Sequence, residues 1–402
     1  MLSFDEAQVL FASSIEPVAE TERIWLGGAA GRVLARDVVA CADSPSADKS
    51  AVDGYALAME DAAAGSVLPV QQICYAGMAP EALKPGHVIR LFTGSVMPAG
   101  ADTVICVEDA EVCEAGVWLD AQHRRGANVR RKGEDSKEGD VMITAGTVLT
   151  AGHIATLASQ GIESVWAFRI VEVSLLITGD ELCFADVAAA PHKVRDVNGP
   201  MLESMVESIG AIVVNRRHVH DDEHELHQAI IELAGESDIV LITGGTSGGD
   251  RDLVEPALIS AGGHLLCRKV NMTPGMPITL GQVRNKIAVC LPGNPAAAYT
   301  TFTLLVTPML RRLQGRETIF PPVRSVRTEQ AEPPAASGLD QFFRASLASS
   351  DDGCDRVAIH AQQGSASVSW LGDVMGFVRV APCNVRQSAG LLPFYALDRW
   401  LS

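Results

Sequence analysis

Apolar runs of strand length alternate with helix-length amphipathic stretches between residues 171 and 313. The runs are "VEVSLLIT", "AIVVN", "DIVLIT", "HLLCRKV", "PITLG" and "IAVCLP", and the pattern between and after them predicts helices over about 198–209, 222–235, 252–261 and 295–313. Strands that are apolar on both faces need helices on both. Alternation at this spacing therefore predicts a doubly wound α/β domain with a largely parallel sheet.

The flanking stretches have a different texture. Residues 46–135 hold short β-like runs cut by Gly and Pro, such as "GHVIRLFTG", "ADTVICVE" and "GVWLD", and predict a small all-β module. Ahead of it, "SFDEAQVLFASS" predicts a helix with Ser3 as N-cap and Glu6 at capping-box spacing. After it come a turn, a short strand and a helix from about 151, which is expected to pack back on the N-terminal helix. A Pro-rich hinge, "FPPV" at 320–323, leads to short strands through 402, a second β module.

Length and composition fit this division. A chain of 402 residues implies two to four domains, and 47% hydrophobic with 20% charged residues is the balance of a soluble globular protein. No apolar run approaches a membrane span, and the acidic N-terminus lacks the apolar region of an export signal. Nine scattered cysteines without a C-x-x-C pair argue against a disulfide framework or structural zinc, and point to a reducing cytoplasm. The net charge of −17 makes nucleic acid an unsuitable partner, while a small anion can still bind where positive groups are local.

Two strands of the α/β region end alike. "LLITGDEL" (175–182) and "VLITGG" (240–245) both stop in Ile-Thr-Gly, so their loops emerge at the carboxyl edge of the sheet, where open α/β sheets bind ligands. Thr178–Glu181 and Gly244–Asp252 are expected to face one pocket. The second loop, "GGTSGGDRD", has four glycines in six residues, and then Asp250, Arg251 and Asp252. It fits neither the dinucleotide nor the P-loop pattern. Backbone N–H groups at a helix start still attract an anion, Ser247 can donate a hydroxyl, and the acids suit a divalent cation bridging to phosphate. A plain strand-to-helix turn capped by Asp252 accounts for the same residues. Asp180 and Glu181 read either as solvated acids or as metal or proton chemistry.

Other stretches carry weaker signals. In "RDVNGPML", Asp196 or Asn198 can cap the helix that follows. "HVHDDEHELH" (218–227) is rich in His and acids, but Asp222 as N-cap and an exposed polar helix face explain most of it. "LPGNPAAAY" is a rigid turn into a helix with Pro295 in the first turn, able to present N–H groups to an anion. "HRRGANVRRKGED" (123–135) is either solvated or a positive field for a polyanion.

Together these segments resemble the molybdopterin molybdenumtransferase family, MoeA in bacteria and the gephyrin E-domain in animals. "DKSAVDGYAL", "FTGSVMPAGADTVICVEDA", "NVRRKGEDSKEGD", "TGDEL", "GGTSGGDRD" and "LPGNP" follow in that family's order across nearly the whole chain. The resemblance implies four domains. Domain I is discontinuous and dimer-forming (1–45 and 136–170), and domain II is an inserted β module (46–135). Domain III is the molybdopterin-binding α/β core (171–318), and domain IV is a C-terminal β-barrel (319–402). It implies a homodimer with each site between one subunit's domain III and elements of the other. The reaction implied is insertion of molybdate into adenylylated molybdopterin, releasing AMP and molybdenum cofactor, with Mg2+ or another divalent cation. An adenylyltransferase upstream and a molybdoenzyme downstream are the implied partners.

By the same resemblance, Asp53, Glu181, Asp221, Asp252 and Lys269 occupy catalytic positions, with Glu181 and Asp252 on the metal. Thr93, Asp135, Gly244, Gly245, Ser247, Gly248, Gly249, Arg251, Pro292, Gly293, Asn294, Pro295, Arg344 and Ser365 occupy substrate-binding ones. One segment departs from the pattern: "TPGMP" (273–277) stands where the family has K-P-G-K-P, so Thr273 and Met276 replace two lysines. Two lost charged hydrogen bonds are worth about 3–6 kcal/mol, a factor of about a hundred to ten thousand. Either charge has moved, to Arg251 or to Arg268 beside Lys269, or the chain is a paralogue that binds molybdopterin or finished cofactor without efficient insertion. Hydrolysis of a nicotinamide nucleotide, by a family sharing the α/β module, is disfavoured by segments 46–135.

Overall fold

The structure is a computed structural model that describes residues 1–63, 65–118, 124–183, 190–245, 252–329, 336–348, 355–382 and 391–397. Ser247, Gly248, Gly249 and Arg251, expected in the site, lie outside the described residues.

The central sheet has the strand order Ile212–Val219, Glu172–Thr178, Ile239–Thr243, Lys286–Leu291, Thr279–Val283, His264–Arg268. The first four strands are parallel, and Thr279–Val283 runs antiparallel to both its neighbours. Alternation along Ile239–Thr243 shows why helices cover both faces. Ile239 and Leu241 join a core with Leu202, Met205 and Val206 of helix Asn198–Ser208. Val240 and Ile242 join a second core with Leu226, Ile230 and Leu233 of helix Glu223–Glu236 and with Val254 and Leu258 of helix Val254–Ser260. Side chains alternate across a strand, so an unbroken apolar run supplies both cores. The last helical stretch, from Pro295 to Leu313, passes through a π-helical segment at Phe302–Val306 ahead of Pro308, whose nitrogen cannot donate.

Strands Val323–Thr328, Asp340–Ala348, Arg356–Ile359, Gly376–Val380 and Leu392–Ala396 close into a barrel, because Asp340–Ala348 pairs with both Arg356–Ile359 and Gly376–Val380. The 46–135 stretch holds a four-stranded sheet, Val70–Cys74, Val88–Leu91, Gly54–Leu57 and Thr103–Cys106, beside a small three-stranded one. Thr21–Trp25 pairs antiparallel with Ser164–Phe168, joining segments far apart in sequence.

The N-terminal helix, Phe4–Ser13, has the expected Ser3–Glu6 capping box. Its packing differs from expectation. Phe4 and Phe11 belong to the α/β core cluster, whereas Leu157 of helix Ala151–Ser159 belongs to a separate one. Phe4 also packs at a tilt against Phe342 of the barrel, 4.6 Å between centroids, and Arg379 holds Asp5 through two hydrogen bonds of 2.6 and 2.9 Å. Two large rings on one short face bury more apolar surface against the core and barrel than a small flanking helix offers.

Candidate functional site

A cavity of about 750 Å³ opens at the carboxyl edge of the central sheet. Thr178 and Glu181 line it from one Ile-Thr-Gly loop, Gly244 and Gly245 from the other, and Pro292–Pro295 from the third. The loop Thr273–Pro277 and Ser365 complete its walls. The common pocket expected for the two repeated strand endings is therefore formed, as far as Gly245.

Its floor is built by close approach. Gly244 has φ +102°, and a Cβ there would lie 2.1 Å from the Thr178 carbonyl oxygen. Only glycine lets the adjacent parallel strands end at this separation. Asn198, buried at the start of its helix, donates to the Thr243 hydroxyl and to the Gly293 carbonyl, both at 2.8 Å. The capping role open to Asp196 or Asn198 falls to Asp196, whose carboxylate accepts from the Gly199 N–H at 2.9 Å. Asn198 instead ties three cleft segments together, a role its place in "RDVNG" does not reveal.

Asp221 stands behind the cleft lining. It accepts from the Thr178 hydroxyl at 2.7 Å and from the Asp180 N–H at 3.3 Å, so it fixes the loop that carries Glu181. Asp252 is not among the residues that line the cavity, nor is Lys269, which is exposed with φ +60° beyond strand His264–Arg268. Arg268 pairs with Glu255 at 3.2 Å and is not among the described residues that line the cavity.

Arg344 is 2% exposed and does not reach the cavity. It donates to the Gln362 and Gly364 carbonyls at 2.7 and 3.3 Å, under the loop that delivers Ser365. Burial pushes its guanidinium down from its ordinary range. Ser365 is tied to the core twice: its carbonyl accepts from the Ala296 N–H at 2.9 Å, and its hydroxyl from the Asn294 amide at 3.3 Å.

Asp53 and Thr93 form a separate pair in the inserted β module. Asp53 accepts from the Thr93 N–H at 2.8 Å and hydroxyl at 2.7 Å, bonds that hold its carboxyl below the usual carboxylate range. Asp135 pairs with Arg130 at 2.7 Å. None of the three lines the cavity within one chain. The basic run around them is not a free positive field. Arg125 pairs with Asp102, Arg130 with Glu134 and Asp135, Arg131 with Asp48, and Lys132 with Asp43. Acids both near and distant in sequence thus pair with four of its five cations.

The histidine-rich segment is likewise dispersed. His220 faces Asp180 at 3.1 Å, His224 contacts Gln228, and His227 contacts Ser260. Asp222 caps the helix, accepting from the His224 and Glu225 N–H groups. Among the described residues, no three His, Cys, Asp or Glu side chains gather as a metal cage. Nor, among them, is any helix long and apolar enough to cross a membrane.

Comparison with known proteins agrees with this architecture. Residues 2–161 match the MoeA N-terminal region (domain I and II), and residues 174–312 match the probable molybdopterin binding domain. The molybdopterin molybdenumtransferase of Haemophilus influenzae is 32% identical over 319 residues, covering 79% of each chain. That of Nostoc sp. is 35% identical over 336 residues, covering 80% of this chain and 77% of the relative. The crystal structure of the molybdopterin biosynthesis moeA protein from Pyrococcus horikoshii OT3 superposes with TM-score 0.82 at 26% identity, over 98% of this chain and all of that one. With both regions matched and the fold shared along its length, the chain belongs to the molybdopterin molybdenumtransferase family.

Proposed function

We propose that the chain inserts molybdate into adenylylated molybdopterin, releasing AMP and molybdenum cofactor. The observation that carries this reading is the single cleft formed by the two Ile-Thr-Gly loops, the Pro292–Pro295 turn, the Thr273–Pro277 loop and Ser365. It sits where an α/β sheet presents ligands, and its size suits a pterin nucleotide.

The residues present fit a divalent cation of the magnesium type. Magnesium keeps several waters and takes one or two carboxylates plus substrate phosphates, so a three-residue cage is not required. Glu181 and Asp196 both line the cleft. Glu181 would hold the ion; Asp252, the second carboxylate that the resemblance implies, lies off the described lining, whereas Asp196 is part of it. Bound there, the ion would screen the charge of the diphosphate link. Asp221 positions this loop by taking the Thr178 hydroxyl, and Asn198 holds the facing turn through Gly293. Gly244 and Gly245, with Ser247, Gly248 and Gly249, would offer backbone and hydroxyl donors to the phosphates.

Asp53, Thr93 and Asp135 lie off this cleft within one chain, which supports a homodimer in which a second copy supplies them. A cytoplasmic setting is consistent with the free cysteines among the described residues.

An assay with adenylylated molybdopterin and molybdate tests the proposal: stoichiometric AMP release that requires molybdate is expected. One observation favours a second reading. The Thr273–Pro277 wall carries no charge, as expected of a paralogue that binds the pterin without efficient insertion. Tight pterin binding without AMP release would select that reading.

A further inference from the structure

We propose that Arg195 binds the anionic end of the cleft's ligand, a phosphate or phosphate-linked oxyanion. The inference rests on the function proposed above and adds a residue to it.

The charged residues among those described around the cavity are Glu181, Arg195 and Asp196. Two are carboxylates, so Arg195 is the only positively charged side chain of the described lining. The other described cations of the region, Lys193, Arg268 and Arg344, do not line the cavity. Lys269 is off the cavity, and the opposite wall contributes Thr273, Pro274, Gly275, Met276 and Pro277.

The backbone at Arg195 is held from both sides. Strand Val194–Arg195 pairs parallel with Leu182–Cys183, with Arg195 opposite Cys183. The Val194 N–H donates to the Glu181 carbonyl at 2.8 Å, and the Asp196 N–H to the Cys183 carbonyl at 3.2 Å. One residue on, Asp196 caps the helix start through Gly199. The residue is exposed, so its guanidinium can meet an entering ligand from a fixed base. A planar fork of N–H donors matches two phosphate oxygens at once, and a lysine matches them less well.

The test is calorimetric titration of the full chain with AMP and with adenosine, at low and high salt. Wild type, Arg195→Gln, Arg195→Lys and Arg195→Gln/Met276→Lys are compared, with circular dichroism to confirm folding. Arg195→Gln is expected to weaken AMP about tenfold to a hundredfold and to flatten its salt dependence. Adenosine affinity should stay unchanged. Arg195→Lys should fall between wild type and Arg195→Gln, and Met276→Lys should restore part of the loss from the facing wall. The proposal is overturned if Arg195→Gln binds AMP as wild type does, if AMP and adenosine weaken equally, or if wild type binds no AMP. The insertion assay on wild type separates the two readings. An active enzyme indifferent to Arg195 rejects this inference alone, whereas an inactive wild type rejects the transferase.

Discussion

The side-chain amide of Asn294 donates to the hydroxyl of Ser365 at 3.3 Å, so the α/β core and the C-terminal barrel meet at the rim of the cleft. The Ala296 N–H, donating to the Ser365 carbonyl at 2.9 Å, makes the same junction from the backbone. Ser365→Ala keeps the backbone bond and loses the hydroxyl one. A neutral hydrogen bond is worth about 1 kcal/mol, so the unfolding midpoint should move by no more than a few degrees, while kcat/KM for AMP release falls because the rim is less firmly held. A large drop in the midpoint with unchanged kcat/KM would mean that the hydroxyl serves the fold instead.

Arg344 separates stability from activity. Among the described residues its buried guanidinium has no partners for Nε and Nη1, and the two carbonyls it serves belong to exposed residues that water can reach. Removing a poorly satisfied buried charge is often neutral to about 1–4 kcal/mol stabilising. Arg344→Met should therefore melt no lower than wild type, yet release AMP more slowly because the Ser365 loop is no longer held. Parallel thermal melts and AMP assays check this; a large drop in melting temperature would contradict it.

Asn198 should behave in the opposite way. Its two donated bonds, to Thr243 and Gly293, are buried and part-buried, and truncation removes both. Asn198→Ala is expected to cost about 2 kcal/mol in denaturant unfolding. Asn198→Asp should cost more, because a carboxylate cannot donate to the Gly293 carbonyl.

Gly244→Ala places a Cβ against the Thr178 carbonyl at a φ that side chains rarely adopt. Strain and overlap together should cost at least about 3 kcal/mol, or prevent folding. Gly27→Ala, with nothing within 4 Å and no positive φ, is the control and should express normally.

Acid stability should depend on Asp238. Its carboxylate is 8% exposed and takes both Arg169 terminal nitrogens at 2.7 and 2.8 Å. Burial alone would raise its pKa, but the Arg169 bonds and the Glu172 N–H outweigh that and hold it low. A depressed folded-state pKa stabilises fully above the unfolded value, about 3.9. That contribution disappears as pH falls through the folded value. Asp238→Asn should cost about 3 kcal/mol at neutral pH and flatten the loss of stability below about pH 4. An unchanged acid limb would exclude the pair as its source.

Much of the architecture is legible in short windows of sequence. The capping residues Ser3 and Asp222 stand at the helix starts their spacing predicts, and the apolar strand Ile239–Thr243 feeds two cores as its composition requires. The repeated Ile-Thr-Gly endings point to the cleft, because each marks a strand end at the same sheet edge. The packing of the N-terminal helix is misread because its partners lie far along the chain, and the same distance hides the acids that pair with Arg131 and Lys132 and the carbonyls that Arg344 serves.

The sequence by itself determined which segments are strands and helices, which sheet edge carries the ligand loops, and the family to which they belong. Those properties follow from backbone geometry and hydrophobic period, which act over a few residues. Tertiary structure alone decided that Phe4 docks on the barrel, that Asp48 and Asp43 pair with Arg131 and Lys132 of the basic run, and that Asn198 and Arg195 face the cleft. Such contacts are settled by competition among many apolar faces and charges for a few burial sites, and no local pattern records its outcome.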